Sequence, residues 1–322
     1  MPLFLSIKTD EKSRKVRKQY ELNGPLYKKR AEVVAKIPHF WALVLETAPP
    51  DIDNFIQPSD SKIFADCLET LDVIRFEIDE PNGSPRSFAI KFGFSDNEYF
   101  EDKVLEKKFW YRVSSDWEGL VSEPVKINWK KGKDITEGVT DAAVKLFKAR
   151  AANVGSGTED KDLPAYKELV KLIEQSDEAS NNFFTWFAFV SSYKFITAEE
   201  SAIESKKKAE RIEKQRRGEK VEDLPEIDHD PTLDVQEAEA FLQGDELATL
   251  IADDLWPSAI KYFKHAHEAE DDDEELSDLS VDYGDEDGDD SDEDIDIRAL
   301  VGKGRPGSSG SPPPNPKKAR KA

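Results

Sequence analysis

The sequence predicts an α+β protein in which an N-terminal helix precedes a four-stranded antiparallel sheet packed on helices, followed by a disordered acidic tail. Three observations lead to this prediction. In the first and last parts of residues 1–267, apolar residues recur with the helical period. In the middle part, they alternate with period two. Beyond residue 267, carboxylates far outnumber apolar side chains. We therefore divide the chain into a helix (1–40), a folded domain (41–267), an acidic tail (268–296) and a proline-rich basic terminus (297–322).

Residues 13–36 predict a helix that pairs with a second copy of the chain. Its stripe has the alternating four- and three-residue spacing of a coiled coil and includes the polar Arg30. We assign to the dimer seam Val16, Tyr20, Asn23, Tyr27 and Val34. Gly24-Pro25 should kink or interrupt the helix. The same pattern also fits an amphipathic helix that lies on its own domain.

An apolar stretch beginning at Ile37 leads to a second helix, which Ser59 or Asp60 should cap. One face of this helix collects Ile63, Phe64, Cys67, Leu68 and Leu71. We therefore expect Cys67, the only cysteine, to lie in the core. A single cysteine cannot form a disulfide within the chain or, alone, a thiolate metal site.

The hydrophobic period changes to two at Val73, which predicts four antiparallel strands with one buried face. Turn-rich segments at 79–85 and 114–119 separate the apolar runs. The strands are expected at residues 73–78, 88–94, 109–113 and 125–129.

Helices return after the sheet. Thr140 should cap a helix over residues 141–150. A loop at 155–157 then leads to an apolar stripe of Leu163, Tyr166, Val170 and Ile173. Residues 182–189 are apolar on nearly all sides, so we expect them deep in the core. A last amphipathic helix should end at Trp256-Pro257 and carries Leu247, Leu250, Ile251 and Leu255.

A charged insert at 198–230 begins with a predicted helix, residues 198–217, that has almost no apolar face. We expect this helix to project from the domain or to be mobile, as a solubilising insertion. The alternative is a contact with DNA or a partner enzyme through Lys206, Lys207, Lys208, Arg211, Lys214, Arg216 and Arg217.

Charge is distributed unevenly along the chain. The acidic tail holds 18 carboxylates without a Lys or Arg, and the basic terminus holds seven Lys or Arg without an acid, which leaves −11 of the total −22 on residues 1–267. Such a tail should be disordered, and it should attract a strongly basic protein over a long range. DNA should be repelled, so we expect its contact to be weak or indirect.

The basic terminus places a polyproline spacer before a compact basic cluster. The cluster predicts a nuclear import signal, with nucleic-acid contact as the lesser interpretation, and consists of Lys317, Lys318, Arg320 and Lys321. We therefore expect a nuclear protein that shuttles with the cytoplasm. Membrane association is not expected, because no stretch approaches the roughly 18 to 20 apolar residues of a spanning helix.

The sequence does not predict an enzyme, a cofactor or a metal site. The four histidines are His39, His229, His265 and His267, and the last two should point to different sides of a helix. Neither the phosphate-binding glycine loop nor the nucleophile elbow occurs in the sequence. Abundant carboxylates make a hydrolase only where a concave site perturbs their pKa values.

Five ordered blocks of the sequence resemble the nucleosome assembly protein family, in its SET / template-activating factor branch. The blocks are residues 20–41, 92–105, 127–134, 180–187 and 253–257. The resemblance implies a headphone-shaped homodimer, in which paired backbone helices carry two globular domains of the type called earmuff. Because the family's backbone helix is usually longer and residues 1–8 do not resemble it, we expect a shortened helix here.

The resemblance implies a histone chaperone, which binds core histones on an acidic concave surface and promotes nucleosome assembly, disassembly and chromatin remodelling. Candidate histone contacts are Asp96, Glu98, Glu101, Asp102, Glu246, Asp253 and Asp254 on the body and Asp271, Asp272, Asp273, Glu274 and Glu275 in the tail. This branch also implies an alternative, an acidic inhibitor of a protein phosphatase or a histone acetyltransferase. A third interpretation, a purely structural dimeric scaffold, predicts that the tail affects solubility alone.

Overall fold

The computed structural model describes residues 2–115, 117–153, 159–175, 182–191, 197–217 and 238–277. The first half contains helices α1 (Pro2–Val34), α2 (Phe40–Glu46), α3 (Pro50–Asp53) and α4 (Pro58–Cys67) and strands β1 (Leu68–Ile74), β2 (Phe88–Phe94), β3 (Val104–Val113) and β4 (Glu118–Ser122). The second half contains helices α5 (Val139–Asn153), α6 (Pro164–Gln175), α7 (Ala198–Arg216), α8 (Gly244–Leu250) and α9 (Ala259–Ser277). This arrangement confirms the predicted α+β class. Within these ranges, no helix is both long and apolar enough to span a bilayer.

Helix α1 runs without a break through Gly24-Pro25, so the predicted interruption is wrong. Pro25 cannot donate to the carbonyl of Glu21, but both residues lie on the exposed side of the helix. Water can therefore replace the missing hydrogen bond there. At a rise of about 1.5 Å per residue, α1 is about 50 Å long.

The predicted dimer seam of α1 faces the chain's own domain. Tyr27 packs against Trp256 with ring centroids 4.4 Å apart, and Val34 is buried where the helix ends. The remaining seam residues are half-buried, and they are Val16, Tyr20 and Asn23. The structure therefore places the stripe as the amphipathic alternative describes, because Trp256 offers it an aromatic surface within the same chain.

The sheet is antiparallel with the strand order β1-β2-β3-β4. Strand β2 has the predicted bounds, and the side chains of Ile90 and Phe92 are fully buried. Val73 of β1 lies opposite Ile90, and Leu105 of β3 lies opposite Phe92. The period-two alternation thus identified the central strand and its buried face correctly.

Strand β1 occupies residues 68–74 and not the predicted 73–78. Helix α4 ends at Cys67, and Leu68 already lies opposite Phe94 of β2. Leu68 and Leu71 consequently belong to the strand and not to the helix face. Cys67 is buried, as predicted.

Strand β4 occupies residues 118–122 and not the predicted 125–129. The Ser114 amide donates to the Trp117 carbonyl at 2.8 Å, and Val113 of β3 lies opposite Glu118 of β4. The predicted segment does not join the sheet. Its Val125 amide donates to the Phe187 carbonyl at 2.8 Å, and Trp129 forms an isolated bridge with Phe100. Its alternation reflects burial on one side of an extended loop.

Helix α4 begins at Pro58 with Gln57 as its N-cap, so neither Ser59 nor Asp60 is the N-cap, although Asp60 takes part in capping as the third residue of the helix. Asp60 nevertheless ties the helix start to the core. Its Oδ2 accepts hydrogen bonds from the amides of Gln57 (2.9 Å) and Phe183 (2.8 Å).

A 3-10 helix, Phe183–Ala188, forms the centre of the core, as predicted for residues 182–189. All six of its side chains are buried, and Phe183 and Trp186 pack against Phe92 of the sheet. The ammonium group of Lys107, buried in β3, donates to the carbonyls of Phe187 (3.3 Å) and Phe189 (2.8 Å). These bonds join the sheet to the end of the 3-10 helix.

Helices α5 and α6 form a second apolar cluster, which contains Leu146, Tyr166 and Leu169. Thr140 is not the cap of α5, because the helix already begins at Val139. The carboxylate of Asp134 lies before the helix and accepts from the Gly138 amide at 2.9 Å. The predicted loop at 155–157 lies outside the described residues.

Helix α7 packs on the domain, so the expectation that residues 198–216 project or are mobile is wrong. The Val113 amide donates to Ser201 Oγ at 2.8 Å, and Lys208 forms an ion pair with Glu118 at 2.8 Å. Ser201 and Ile212 are buried. The buried face of α7 is narrow and includes the polar Ser201, so it does not produce a wide apolar stripe in the sequence.

The helix predicted to end at Trp256-Pro257 is found as α8 and the turn that follows it, whereas helix α9 beyond Pro257 was not predicted. Helix α8 continues into a π-helical turn, Ile251–Leu255, whose final hydrogen bond joins the Trp256 amide to the Ile251 carbonyl at 2.9 Å. Helix α9 continues to Ser277, so residues 268–277 of the expected tail extend a helix whose first turns are buried at Ala259 and Tyr262. Residues 278–322 lie outside the described part of the chain.

Candidate functional site

The predicted acidic residues of the body lie in two places. The first is the loop between β2 and β3, and the second is α8 with the π-helical turn that follows it. Their surroundings differ, because most of these carboxylates already have a partner within the chain and a few do not.

Two carboxylates of the β2–β3 loop are paired with lysines. Asp96 lies 3.1 Å from Lys103 Nζ, and Glu98 lies 2.9 Å from Lys133 Nζ. The hydrogen bond and positive charge of Lys133 lower the pKa of Glu98. Both pairs are exposed, so they contribute little to stability and can exchange partners at low cost. Each carboxylate is nevertheless neutralised before a ligand arrives.

The other two loop carboxylates have different roles. Asp102 accepts hydrogen bonds from the backbone amide of Asn128 (2.6 Å) and from its side-chain Nδ2 (2.8 Å). It therefore holds the loop against the segment before Trp129. Glu101 is exposed, and within the described residues no Lys or Arg side chain pairs with it.

Asp253 and Asp254 of the π-helical turn stabilise the fold. Asp253 forms a 2.8 Å ion pair with Arg75, which extends from β1. Asp254 accepts from the Tyr262 hydroxyl at 2.7 Å, and burial together with this carboxylate raises the pKa of Tyr262 to about 12. We infer that these two residues attach the turn to its neighbours and are poor candidates for a free ligand contact.

Glu246 lies in a different environment, on a groove between α3 and α8 that we call the α3–α8 groove. Its volume is about 660 Å³, and it is lined by Asp51, Asn54, Phe55, Gln243, Asp245, Glu246, Leu247, Thr249 and Leu250. The lining contains three carboxylates and no Lys or Arg. Phe55 and Leu250, which are both partly exposed, supply apolar surface between them.

The negative field of the groove extends to Glu239. Burial, and then the charge of Asp245, raise the pKa of Glu239 above its usual value. Burial is the larger cause, and the smaller effect of Asp245 means that its negative charge reaches Glu239. A cation beside Asp245 would reduce this repulsion.

The core holds both walls of the groove in place. Gly244 lies so close to Phe189 that an added Cβ would be 2.3 Å from the ring, and its carbonyl accepts from Trp186 Nε1 at 2.8 Å. Leu247 and, on the opposite wall, Ile52 are fully buried. The acids are therefore presented by rigid elements, which lowers the entropy lost on binding.

The sequence prediction named Glu246 but missed Asp51 and Asp245. Asp245 is adjacent to Glu246 and could have been included on charge alone. Asp51 could not, because almost 200 residues separate it from α8 and only the packing of α3 on α8 brings them together. The remaining predicted contacts, Asp271–Glu275, lie in the last turns of α9, and Lys317, Lys318, Arg320 and Lys321 lie outside the described residues.

Comparison with known proteins gives a consistent result. The family described as nucleosome assembly protein (NAP) matches residues 6–266. A putative nucleosome assembly protein of Schizosaccharomyces pombe is 36% identical over 131 residues, 37% of this chain and 52% of that protein. Protein SET of Drosophila melanogaster is 32% identical over 137 residues, 41% of this chain and 48% of that protein. The chain thus spans about half the length of these two curated relatives.

Among solved structures, the Vps75 histone chaperone is 21% identical with a TM-score of 0.47, and the match covers 81% of this chain and 94% of that one.

Proposed function

Because this chain belongs to the nucleosome assembly protein family, we propose that it is a histone chaperone, which binds core histones and shields them from premature contact with DNA. The main support is the α3–α8 groove, an acidic surface on rigid elements without a compensating cation in its lining. No catalytic step is part of this proposal.

The intramolecular ion pairs of the carboxylates determine which of them contribute most to histone binding. Asp96, Glu98 and Asp253 must give up an intramolecular ion pair before they contact a histone lysine or arginine. Within the part of the chain that the structure describes, Asp51, Asp245 and Glu246 have no lining Lys or Arg to give up, so more of the attraction is retained in the complex. We therefore assign the main body contact to the α3–α8 groove, with Glu101 as a second, isolated contact.

The acidic tail supplies attraction at longer range. Its 18 carboxylates raise the rate of encounter with a polycation, in a manner that depends strongly on ionic strength. The body then provides the specific contacts. In this mechanism the chaperone prevents non-specific collapse of histones onto DNA, and the more stable nucleosome still forms.

We further propose that the chain forms a homodimer through the solvent side of α1. Leu22, Leu26 and Val33 are 62%, 62% and 59% exposed, and their spacing of four and seven residues forms one stripe. The sequence prediction chose a neighbouring face of the helix, about 100° away, which packs on the domain. A second copy would cover these apolar residues in the antiparallel helix pair that the family resemblance implies.

Histone binding by the groove can be tested by titrating a core histone tetramer into the full chain across a salt series. We expect saturable binding near physiological salt. The variant Asp245→Asn with Glu246→Gln should weaken it about tenfold, which corresponds to about 1.4 kcal/mol. Glu159→Gln with Glu174→Gln removes two exposed charges, one before α6 and one in its last turn, and should have little effect. Absence of saturable wild-type binding would refute the proposed function, and equal losses in both variants would refute the assignment to the groove.

The regulatory alternative, inhibition of a phosphatase or a histone acetyltransferase, predicts a different dependence. Inhibition should then persist on a substrate other than a histone, and it should require a surface other than the groove. An assay of phosphatase activity on a non-histone phosphopeptide, with and without the full chain, separates the two functions.

A further inference from the structure

The α3–α8 groove combines two chemical features. Phe55 and Leu250 provide partly exposed apolar surface, and Asp51, Asp245 and Glu246 surround it with negative charge. A ligand that complements both features needs an aliphatic side chain flanked by cations. A purely basic peptide would leave the apolar surface in water, and a purely apolar one would leave the carboxylates unpaired.

The chain itself contains such a segment. Residues 297–305 read Ile-Arg-Ala-Leu-Val-Gly-Lys-Gly-Arg, so Leu300 and Val301 lie between Arg298 and Lys303. The terminal cluster at 317–321 carries more charge per residue but no side chain larger than alanine among its apolar residues. Of the basic stretches beyond Ser277, residues 297–305 therefore match the groove best.

We propose that residues 297–305 bind in the α3–α8 groove of the same chain. Leu300 and Val301 would cover Phe55 and Leu250, and Arg298 and Lys303 would neutralise carboxylates of Asp51, Asp245 and Glu246. The charge balance is favourable, because the segment carries three cations and no acid and the groove lining carries three acids and no cation.

The connecting chain is long enough for this contact. Twenty residues separate Ser277 from Arg298, and they span up to about 70 Å when extended. A folded body of this size has a radius of gyration of about 18 Å, so the segment can reach any part of its surface. Tethering also raises the effective concentration of the segment at the groove to about the millimolar range. A contact too weak to detect between separate molecules can therefore still form within one chain.

Occupation of the groove by the chain's own segment would regulate the same site. A basic partner must displace residues 297–305 before it reaches Asp245 and Glu246, so weakly basic proteins are rejected and strongly basic ones are accepted. This regulatory consequence rests on the proposed histone binding, whereas the contact between the segment and the groove does not.

The contact can be mapped by photo-cross-linking in the full chain. Gly302→Cys provides an attachment point for a benzophenone maleimide. Cys67 should not compete, because it is buried and burial raises the pKa of its thiol to about 12. A mixture of ¹⁵N-labelled and unlabelled chains distinguishes cross-links within one copy from those between copies, and mass spectrometry locates them.

We expect the cross-links to concentrate on residues 50–55 and 243–250 of the same copy. Their yield should fall at least fivefold in Asp245→Asn with Glu246→Gln, and also in Leu300→Ser with Val301→Ser. The charge-matched control, Glu159→Gln with Glu174→Gln, should retain the wild-type yield. A spread of cross-links over the surface, a majority between different copies, or an equal loss in the control would overturn the proposal.

A parallel titration with a core histone tetramer keeps the two proposals separate. If the cross-links form as expected but the tetramer does not bind, the histone function fails and the contact stands. If the tetramer binds but the cross-links do not depend on Leu300, Val301 or the groove acids, the contact fails and the histone function stands.

Discussion

Arg30 of helix α1 donates a 2.6 Å hydrogen bond to the backbone carbonyl of Trp256, and its guanidinium carbon lies 4.4 Å from the centre of the Trp256 ring. The same group lies 4.8 Å from the Tyr27 ring. Burial lowers the pKa of Arg30, although a guanidinium remains charged at physiological pH. This single side chain therefore joins the long helix to the π-helical turn through both a polar and an aromatic contact.

Arg30→Lys should destabilise the protein by about 1–2 kcal/mol, because an ammonium group cannot stack on Trp256 and donate to its carbonyl with the same geometry. Arg30→Ala should lower the free energy of unfolding by more than Arg30→Lys does. Urea unfolding of the full chain measures both. Lys29→Ala changes an exposed neighbour on the same helix and serves as the control; a loss of similar size there would show that the contact with Trp256 is unimportant.

Asp60 should make stability depend on pH. Burial raises its pKa to about 7, against an ordinary value of 3.8, despite the hydrogen bonds from the Gln57 and Phe183 amides. Between these two values the folded state keeps a proton that the unfolded state releases, so stability falls as pH rises from about 4 to about 7. Asp60→Asn cannot release this proton and should lack the effect.

Comparison of the wild type with Asp60→Asn isolates this group from the other carboxylates. From pH 5 to pH 8, the free energy of unfolding of the wild type should fall relative to that of the variant by about 2–3 kcal/mol. Urea titrations at several pH values provide the measurement. Parallel pH profiles for the two proteins would contradict the raised pKa.

Gly93 should be intolerant of a side chain because Thr70 of the adjacent strand β1 lies directly opposite it. A Cβ at this position would lie 2.2 Å from Thr70 Oγ1, at the irregularity in pairing between Leu68 and Thr70. Gly93→Ala should therefore cost about 1–3 kcal/mol. Adding Thr70→Ala removes the clashing atom and should restore part of the lost stability, as measured by thermal unfolding. If the stability losses of the two substitutions simply add, the steric explanation is wrong.

Leu26→Asp should convert the proposed dimer into a monomer. The substitution places a charge in the centre of the exposed stripe that Leu22 and Val33 extend, and a paired helix would bury it. Light scattering after gel filtration measures the molar mass. Lys28→Asp is the control, since Lys28 is exposed and lies outside the stripe. If the wild type is monomeric, or if both variants behave alike, the solvent side of α1 is not the interface.

The basic terminus should direct the protein to the nucleus. Replacing Lys317, Lys318, Arg320 and Lys321 by alanine should move a fluorescent fusion of the full chain towards the cytoplasm. The same replacement at Arg298, Lys303 and Arg305 tests whether any basic stretch suffices. Unchanged nuclear accumulation in the first variant would rule out the cluster as the import signal.

The central sheet could be predicted from the sequence because period-two alternation reports a buried face directly, as at Ile90 and Phe92. Residues 125–129 show the limit of this signal. They alternate for the same reason, one-sided burial, but their backbone partners are Phe187 and Phe100, which no local pattern reveals. Helix α1 shows the same limit. Its sequence predicts an apolar stripe, but it does not predict that Trp256 of the same chain is the residue that covers Tyr27.

The candidate site was partly predictable for a related reason. Charge density identifies Glu246 as one acid among many, and it does not distinguish a paired carboxylate from an unpaired one. Asp253 appears in the sequence to be as good a candidate as Glu246, but it is neutralised by Arg75, which follows β1 and is distant in sequence. The contribution of Asp51 likewise depends on the contact between two short helices.

The close approach of Gly244 to Phe189 has a kinetic consequence. Since α8 cannot shift without disturbing the aromatic core, the groove should keep its shape when a ligand arrives. Association of a basic peptide with the unoccupied groove should then be limited by electrostatic encounter and slow steeply with added salt, whereas dissociation should report the local contacts. The lifetime of the complex, more than its rate of formation, would determine how long a basic ligand stays bound in the groove.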